Sequence, residues 1–318
     1  MSGGWTMAEQ IEMPLDHIAM PDRVMAPCRW FGGKGNMARR ILPLIPRGRV
    51  YVEPYCGMAS VFWHLPRPFP VEVLNDLNGD VVNLFRCLQD PERFERFARR
   101  ITWTPYALEE FRRALNVLET SDDPEERAWA FFVAQNQSFS GVAKTEGCWG
   151  RAFISNRSMA DTVNKWRGRI KLLQWWHDRL TRVQIDSRDA IEVIRYWDSE
   201  DTVFYIDPPY VHDTRKDKDV YACECDDAHH EALVDTLLQI KGRAVLSGYD
   251  NGIYRRLEEA GWERVEFQTA CYAASRWRGS KLRGAGAAMK RAARTEMCWV
   301  KHPQARLFAA STDERRAR

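Results

Sequence analysis

The segment 202–210 constrains this chain more than any other. Residues 202–206 form an apolar, β-branched and aromatic run without polar alternation, which is typical of a strand buried in a parallel sheet. The Asp-Pro-Pro-Tyr sequence that follows must end the strand, because proline cannot donate a hydrogen bond to a sheet ladder. Asp207 and Tyr210 are therefore predicted to lie at the carboxyl end of a strand, where open α/β sheets bind ligands.

The loop at 207–210 suits one kind of substrate. Its prolines carry carbonyls but no N–H groups, Asp207 adds a carboxylate, and Tyr210 adds a ring face for stacking. An NH2 group on a heteroaromatic ring is a poor nucleophile because its lone pair is delocalised. Two acceptors, one for each hydrogen, would localise that lone pair and stabilise the positive charge that grows on nitrogen. The alternative is an ordinary Pro-Pro turn with a solvated aspartate.

Composition sets looser limits. The 318 residues suffice for one large domain or two smaller ones, and the net charge of +3 says little about partners. The 8 cysteines form no CxxC pair and fit neither a disulfide framework nor a zinc site. We therefore expect a reduced, cytoplasmic protein with no metal. No apolar run is long enough to span a bilayer, so no membrane role is expected.

Two further predicted strands end in acids. Residues 50–52 lead into Glu53 and a proline, then into small residues and a helix predicted to start at 61–63, as in the first βα unit of nucleotide-binding folds. The glycine pattern differs from the dinucleotide fingerprint, so NAD is disfavoured. The strand at 71–75 ends at Asp76, in the position of an acid that binds ribose hydroxyls. Either acid could instead cap a helix.

The remaining periodicity predicts an α/β rhythm interrupted by helices. A Gly-rich loop at 29–35, able to bring backbone N–H groups close to a ligand, precedes an amphipathic helix at 37–44. Helices are predicted at 81–88, 91–100, 107–118, 125–136, 161–180, 190–197, 227–240 and 253–260. Later strands are predicted at 183–186, 244–247, 264–270 and 296–300, the last one antiparallel.

Two segments have the composition of nucleic-acid contacts. The gap at 137–153 mixes glycines, aromatics and the basic residues Lys144 and Arg151, as a recognition loop would. Residues 275–294 hold seven basic residues and no acids, a charge distribution that attracts a phosphate backbone. Its candidate contacts are Arg276, Arg278, Lys281 and Arg283. The alternative for both segments is a solvated surface loop.

Four motifs in order resemble those of the Dam-like DNA adenine methyltransferases. They are Arg29-Trp30-Phe31-Gly32-Gly33-Lys34, Glu53-Pro54-Tyr55-Cys56-Gly57, Asn75-Asp76-Leu77-Asn78 and Asp207-Pro208-Pro209-Tyr210. The resemblance implies an α/β, Rossmann-like sheet, S-adenosylmethionine (SAM) as methyl donor, no metal, and double-stranded DNA as partner, with methylation of the kind found in restriction–modification. The oligomeric state, monomer or weak dimer, is left open.

The resemblance also implies a division of the chain. A discontinuous SAM-binding catalytic domain would comprise 28–87 and 183–303, with a mostly helical target-recognition insert at 88–182. An N-terminal extension at 1–27 and a charged tail at 304–318 would flank them.

Roles carry over only where residues match. The resemblance implies cofactor contacts from Trp30, Gly33, Lys34, Glu53, Pro54, Cys56, Gly57, Asp76 and, by a looser match, Asp189. It implies a catalytic loop of Asp207, Pro208, Pro209 and Tyr210. In that loop Tyr210 would stack on a flipped-out adenine, while Asp207 and the Pro208 carbonyl accept its amino hydrogens. The chain departs from the family where Ala59 replaces the usual glycine and Ser247-Gly248 replaces Ser-Asn.

Two alternatives stay open from the sequence. One is methylation of another planar amino group: cytosine N4, an RNA base or a glutamine amide. The long insert and the basic loop favour nucleic acid over peptide, and aspartate before Pro-Pro favours adenine by family habit. The other is a catalytically degenerate DNA-binding protein, against which the intact Asp207 loop argues. The DNA sequence recognised, processivity, preference for hemimethylated DNA and any paired restriction enzyme are not predicted.

Overall fold

A seven-stranded, mostly parallel sheet organises the chain. The computed structural model describes residues 19–139, 141, 143, 145–209, 227–270 and 293–302. The predicted tail at 304–318 and most of the predicted extension at 1–27 lie outside these residues. The strands are β1 (Val50–Glu53), β2 (Val71–Asn75), β3 (Ser155–Asn156), β4 (Met159–Ala160), β5 (Gln184–Asp186), β6 (Thr202–Ile206), β7 (Arg243–Gly248), β8 (Glu263–Ala270) and β9 (Ala293–Lys301).

Helices connect and cover these strands. They are α1 (Ala38–Ile41), α2 (Gly79–Gln89), α3 (Pro91–Trp103), α4 (Leu108–Thr120), α5 (Pro124–Gln137), α6 (Asp161–Ile170), α7 (Leu173–Leu180), α8 (Ala190–Trp197), α9 (Asp227–Gln239) and α10 (Arg255–Glu259). Short polar side chains begin several of them. Asn78 and Asp123 each accept two backbone N–H bonds at the start of α2 and α5, and Asp90 accepts one at the start of α3.

The strand order places a topological switch point between β1 and β6. The sheet runs β5-β2-β1-β6-β7-β9-β8, with parallel pairing from β5 to β7. From β1 the chain continues into β2 on one side, and from β6 into β7 on the other. In such sheets the crevice outside the carboxyl ends of the two central strands is where ligands bind. Strand β9 pairs antiparallel with both β7 and β8, which confirms the antiparallel prediction.

Alternate side chains of the central strands pack into two separate hydrophobic cores, one on each face of the sheet. Tyr51, Val203 and Tyr205 point to one face, where they pack with residues from α2 to α7. Val52 and Phe204 point to the opposite face and pack with residues of α8, α9 and α10. Because both faces are covered, the strands are apolar throughout, as the run at 202–206 predicted.

The helical segment packs directly on the sheet. One hydrophobic core contains Phe97 of α3, Phe132 of α5 and Trp176 of α7 together with Tyr51 of β1. A buried ion pair adds a polar link, since Arg179 of α7 donates to both oxygens of Glu72 in β2, at 2.5 and 2.6 Å. The sheet and its helical cover therefore form one continuous structure. The division of 88–182 as a separate recognition domain stays a prediction.

Three predicted helices differ from the structure for local reasons. The helix at 37–44 is α-helical only at 38–41 and continues as a 3₁₀ turn, because Pro43 has no N–H for an i→i−4 bond. The helix predicted to start at 61–63 is a single 3₁₀ turn, Phe62–His64, before a Pro-rich stretch at 66–70. The predicted helix at 161–180 is broken into α6 and α7. Within the described part of the chain, no helix is long and apolar enough to cross a membrane.

The turn after β1 holds a non-glycine residue in the left-handed region. Ala59 has φ of 51° and is fully buried, and its N–H donates to the carbonyl of Cys56 at 2.6 Å. This conformation costs an L-residue about 1–2 kcal/mol. The resemblance identified this position as one where relatives usually have glycine, and the backbone explains why.

We expect Ala59→Gly to leave the free energy of unfolding unchanged or raise it by up to about 1 kcal/mol, because relief of the strain offsets the lost methyl. The matched control is Ala244→Gly in β7, an equally buried alanine. It should lose about 1 kcal/mol or more, because glycine weakens a strand interior. Denaturant unfolding of both variants measures the difference. Equal losses in the two variants would contradict the account.

Candidate active site at the carboxyl edge of the sheet

A cavity of about 370 Å³ lies where β1, β2 and β6 end. It falls within the size range of small-molecule sites. All four of the sequence motifs contribute to its wall. The motif residues lining it are Trp30, Phe31, Gly32, Gly33, Lys34, Glu53, Pro54, Tyr55, Cys56, Gly57, Asp76, Leu77, Asn78, Asp207, Pro208 and Pro209.

An ion pair joins the first motif to the last. Lys34 Nζ lies 2.8 and 2.9 Å from the two carboxylate oxygens of Asp207, 173 residues away in sequence, and 3.1 Å from the Gly32 carbonyl oxygen. The side chains are 5% and 18% exposed. Burial acts to lower the pKa of Lys34, but the carboxylate of Asp207 outweighs it and the pKa lies above its ordinary value. Lys34 therefore stays charged and holds the Asp207 carboxylate in place.

Glu53 ends β1 on the floor of the cavity. Its Oε1 accepts hydrogen bonds from the Tyr51 hydroxyl at 2.6 Å and from the Phe62 N–H at 2.8 Å. Burial raises the pKa of Glu53 to about 8, against the lowering effect of these two bonds, and the nearby charge of Asp207 raises it further. Burial thus disfavours ionised Glu53, and a cationic ligand beside it would favour the ionised form.

Asp76 at the end of β2 is tied to the turn after β1. One carboxylate oxygen accepts the Gly57 N–H and the other the Asn78 N–H, both at 2.8 Å. Burial raises the pKa of Asp76, while these bonds oppose the shift. Gly57 has φ of 48°, and a Cβ there would lie 2.6 Å from Trp30 Nε1, so only glycine fits. The turn therefore brings Trp30 and Asp76 to the same wall.

Several residues of the site are ones that sequence reasoning did not select. Asn75 Nδ2 donates to the carbonyls of Pro54 and Arg188, which connects the ends of three strands. Tyr55 and His229 both line the cavity, and the tyrosine hydroxyl lies 2.7 Å from His229 Nε2. Asn75 and Tyr55 lie inside quoted motifs, which was a usable signal. His229 follows a segment without motif character and had none.

The structure brings most of the predicted cofactor and catalytic residues to this cavity. All of the predicted cofactor residues except Asp189 line it, as do Asp207, Pro208 and Pro209. The Asp189 carboxylate instead accepts the N–H groups of Ile191 and Glu192 as the cap of α8, and Ala190 lines the cavity beside it. The cofactor role of Asp189 stays a prediction with this competing structural role.

The predicted DNA contacts are mostly outside the described residues. These are Lys144, Arg276, Arg278, Lys281 and Arg283, and the predicted stacking residue Tyr210 lies there too. Arg151 is described and exposed, in the segment that follows Gly150.

Comparison with known proteins agrees with the geometry. The family described as D12 class N6 adenine-specific DNA methyltransferase matches residues 30–266. This chain belongs to that family. It is 26% identical over 192 residues to a DNA adenine methylase of Serratia marcescens, an alignment of 57% of this chain and 65% of the relative. For a DNA adenine methylase of Vibrio cholerae the values are 24% over 197 residues, 57% and 64%.

A phage relative matches a shorter part. A DNA N-6-adenine-methyltransferase of Escherichia phage P1 is 29% identical over 121 residues, which are 36% of this chain and 15% of that protein. The chain thus spans less than two thirds of the length of the Serratia and Vibrio relatives.

The cavity fits the methyl donor that the family implies. SAM carries a sulfonium and an ammonium charge, an adenine ring and ribose hydroxyls. The carboxylates of Glu53 and Asp76 supply acceptors and negative charge, and Trp30 and Phe131 supply apolar surface. Among the described residues, no group of three or more His, Cys, Asp or Glu is arranged to hold a metal ion.

Gly248, which stands where the family usually has asparagine, also has a packing reason. A Cβ at Gly248 would lie 2.8 Å from the Tyr254 ring and 3.2 Å from the Trp299 ring. These two rings pack edge to face with centroids 5.0 Å apart. The usual asparagine could not enter without moving Tyr254, so glycine at 248 accompanies this aromatic pair.

The raised pKa of Glu53 makes a prediction about stability. Between its ordinary value of 4.5 and about 8, the unfolded chain ionises Glu53 while the folded chain keeps it protonated. The unfolded state therefore gains relative stability as the pH rises through this window. We expect Glu53→Gln, which retains the acceptor for Tyr51 and Phe62, to lose less stability than the unmodified protein between pH 5 and pH 8.5.

The test is denaturant unfolding of both proteins across this range, without SAM. Glu53→Leu is unsuitable for this test because leucine differs from glutamate in shape and chemistry. Glu72→Gln is unsuitable as a control because it breaks the ion pair with Arg179. Parallel stability profiles for the two proteins would contradict the assignment of a protonated Glu53.

Proposed function

We propose that this protein is a DNA methyltransferase that transfers a methyl group from SAM to the exocyclic N6 amino group of an adenine flipped out of duplex DNA. One observation carries the proposal: Asp207 and Pro208, directly after β6, line the same cavity as Glu53 and Asp76. Family membership over residues 30–266 supports the same reaction. Its bacterial and phage relatives favour a cytoplasmic protein acting on DNA.

SAM, when bound, supplies an electrophilic methyl group on a positively charged sulfur. The contribution of this chain is to bind and orient. Glu53 and Asp76 provide negative charge and acceptors on one side of the cavity, and Trp30 and Phe131 enclose an apolar wall. Asp207 lies on the β6 side of the same space, so the two reactants would meet between neighbouring strands.

Asp207 would act as an acceptor and not as a strong base. Its two oxygens accept from Lys34, and these bonds use two of the about four lone-pair sites of a carboxylate. One oxygen would accept one amino hydrogen of adenine, and the Pro208 carbonyl the other. This localises the nitrogen lone pair and stabilises its developing positive charge. The alkylated nitrogen is acidic, and its surplus proton can leave afterwards.

DNA as the partner is supported by an exposed segment near the site. Phe139 is 58% exposed, Phe153 97% and Ile154 68%, a concentration of apolar side chains that water does not favour. Arg151 and Arg157 are also exposed, and residues 147–160 contain no acid. Aromatic and basic groups together suit contact with bases and phosphates. We propose that this segment contacts the DNA from which adenine is extruded, with Tyr210 stacking on the base.

We expect Asp207→Asn to reduce methyl transfer by about 10²-fold or more, as for loss of a group that stabilises developing charge. SAM affinity should change only a few-fold, because Glu53 and Asp76 are intact. The matched control is Asp186→Asn, an aspartate at the end of β5 that pairs with Arg188 and does not line the cavity. It should keep full transfer.

Transfer of labelled methyl to DNA and calorimetric titration with SAM measure the two effects separately. Unimpaired transfer by Asp207→Asn would remove the proposed role of Asp207. If the unmodified protein does not bind SAM, the proposed function as a whole is contradicted.

A further inference from the structure

Gln135, near the end of α5, lines the active-site cavity and has an enclosed polar atom. Its Oε1 is shielded from solvent and accepts no hydrogen bond within the part of the chain that the structure describes. Among the described residues with such an enclosed atom, Gln135 alone lines the cavity. A buried acceptor without a donor is unfavourable, so a ligand that supplies the donor would be favoured.

The next two carboxamides at this helix end have structural partners. Asn136 accepts the N–H of Arg29 at 3.3 Å and donates to the carbonyl of Pro27 at 3.0 Å. Gln137 likewise accepts a backbone N–H at 3.2 Å and donates to a backbone carbonyl at 2.9 Å. Both amides therefore hold neighbouring backbone in place. The enclosed oxygen of Gln135 has no such contact, so support of the backbone does not explain it.

The end of α5 is fixed against the first sequence motif. The bond from the Arg29 N–H holds the backbone directly before Trp30. Phe131 lies one turn before Gln135 on the same face of α5, and its ring centroid is 6.2 Å from that of Trp30. All three of Trp30, Phe131 and Gln135 line the cavity. The Gln135 amide therefore belongs to the wall that α5 and the first motif form together.

We propose that Gln135 binds the amino-acid group of SAM, which carries an ammonium and a carboxylate on one carbon. The inference rests on the proposed function and deepens it, because it assigns a residue of the helical segment to the cofactor. The ammonium donates to Oε1, and the amide nitrogen donates to the carboxylate in return. A half-turn of the carboxamide exchanges the two positions without losing either bond, since the ligand offers a donor and an acceptor side by side.

The rest of the cavity accommodates the other parts of SAM. Asp76 follows β2 and supplies an acceptor for the ribose hydroxyls, and Ala190 begins α8 after β5, the strand next to β2. Asp207 follows β6 on the other side of β1, where the methyl group is to be transferred. The wall formed by α5 and the first motif is then left for the third part of the cofactor, its amino-acid group.

Gln135→Met tests this contact, because methionine keeps the length of the side chain and removes both amide groups. We expect the variant to bind S-adenosylhomocysteine, which has the same amino-acid group, about tenfold or more weakly, the loss usual for a hydrogen bond to a charged group. Binding of methylthioadenosine, the same nucleoside thioether without the amino-acid group, should change by less than about twofold. The melting temperature should not fall, because the variant removes an enclosed acceptor that has no donor.

The experiment is calorimetric titration of the full chain with each of the two ligands, together with thermal unfolding of the same proteins without ligand. The matched control is Gln174→Met, at an exposed glutamine of α7 that donates to Asp178 and does not line the cavity. It should leave both affinities unchanged. Gln135→Ala serves as a second variant if Gln135→Met does not fold, and the same difference between the two ligands is expected.

The outcomes separate this inference from the proposed function. A loss of affinity confined to S-adenosylhomocysteine supports the contact. Equal losses for both ligands, or no loss for either, overturn it, even if the unmodified protein methylates DNA. Unchanged affinity for S-adenosylhomocysteine with slower methyl transfer would also overturn it and would assign Gln135 to the flipped base. An unmodified protein that binds neither ligand contradicts the proposed function, and this inference with it.

Discussion

The ion pair between Lys34 and Asp207 is the interaction on which the site depends. It connects a loop before β1 to the end of β6, at the topological switch point between these two strands. A parallel sheet with both faces covered brings the ends of β1, β2 and β6 to one edge, and the acids there would repel one another without a cation. Lys34 supplies that charge, and its bonds use two of the about four lone-pair sites of the Asp207 carboxylate. The fold therefore offers the Asp207 oxygens as hydrogen-bond acceptors while the Lys34 charge keeps Asp207 from acting as a strong base.

The central sheet and the cavity motifs could be predicted because local chemistry determines them. Apolar runs that end at Asp or Glu and at proline mark parallel strands, and the shared edge of the sheet then brings their ends together. Helix boundaries were less predictable, since Pro43 and the prolines at 66–70 permit only 3₁₀ turns where periodicity favoured longer helices. Asp189 shows the limit of motif transfer, because a capping aspartate and a ligand-binding one look alike in sequence.

Other residues have an unfavourable property that only the structure reveals. Ala59 in a left-handed turn and the buried carboxyl of Glu53, whose pKa is raised by burial, are both unfavourable for the isolated fold. Glu53 lines the proposed SAM site, and Ala59 lies between Met58 and Ser60, which also line it. Proteins commonly violate local rules at functional sites, and here a cationic cofactor would relieve the cost of ionising Glu53.

The central claim is the identity of the methylated group. The most direct measurement is transfer of labelled methyl from SAM to unmethylated DNA, followed by digestion and analysis of the nucleosides. The account predicts that the label is recovered as N6-methyladenine. Label recovered only in cytosine would contradict the choice of base, and absence of label from DNA despite normal SAM binding would contradict DNA as the substrate.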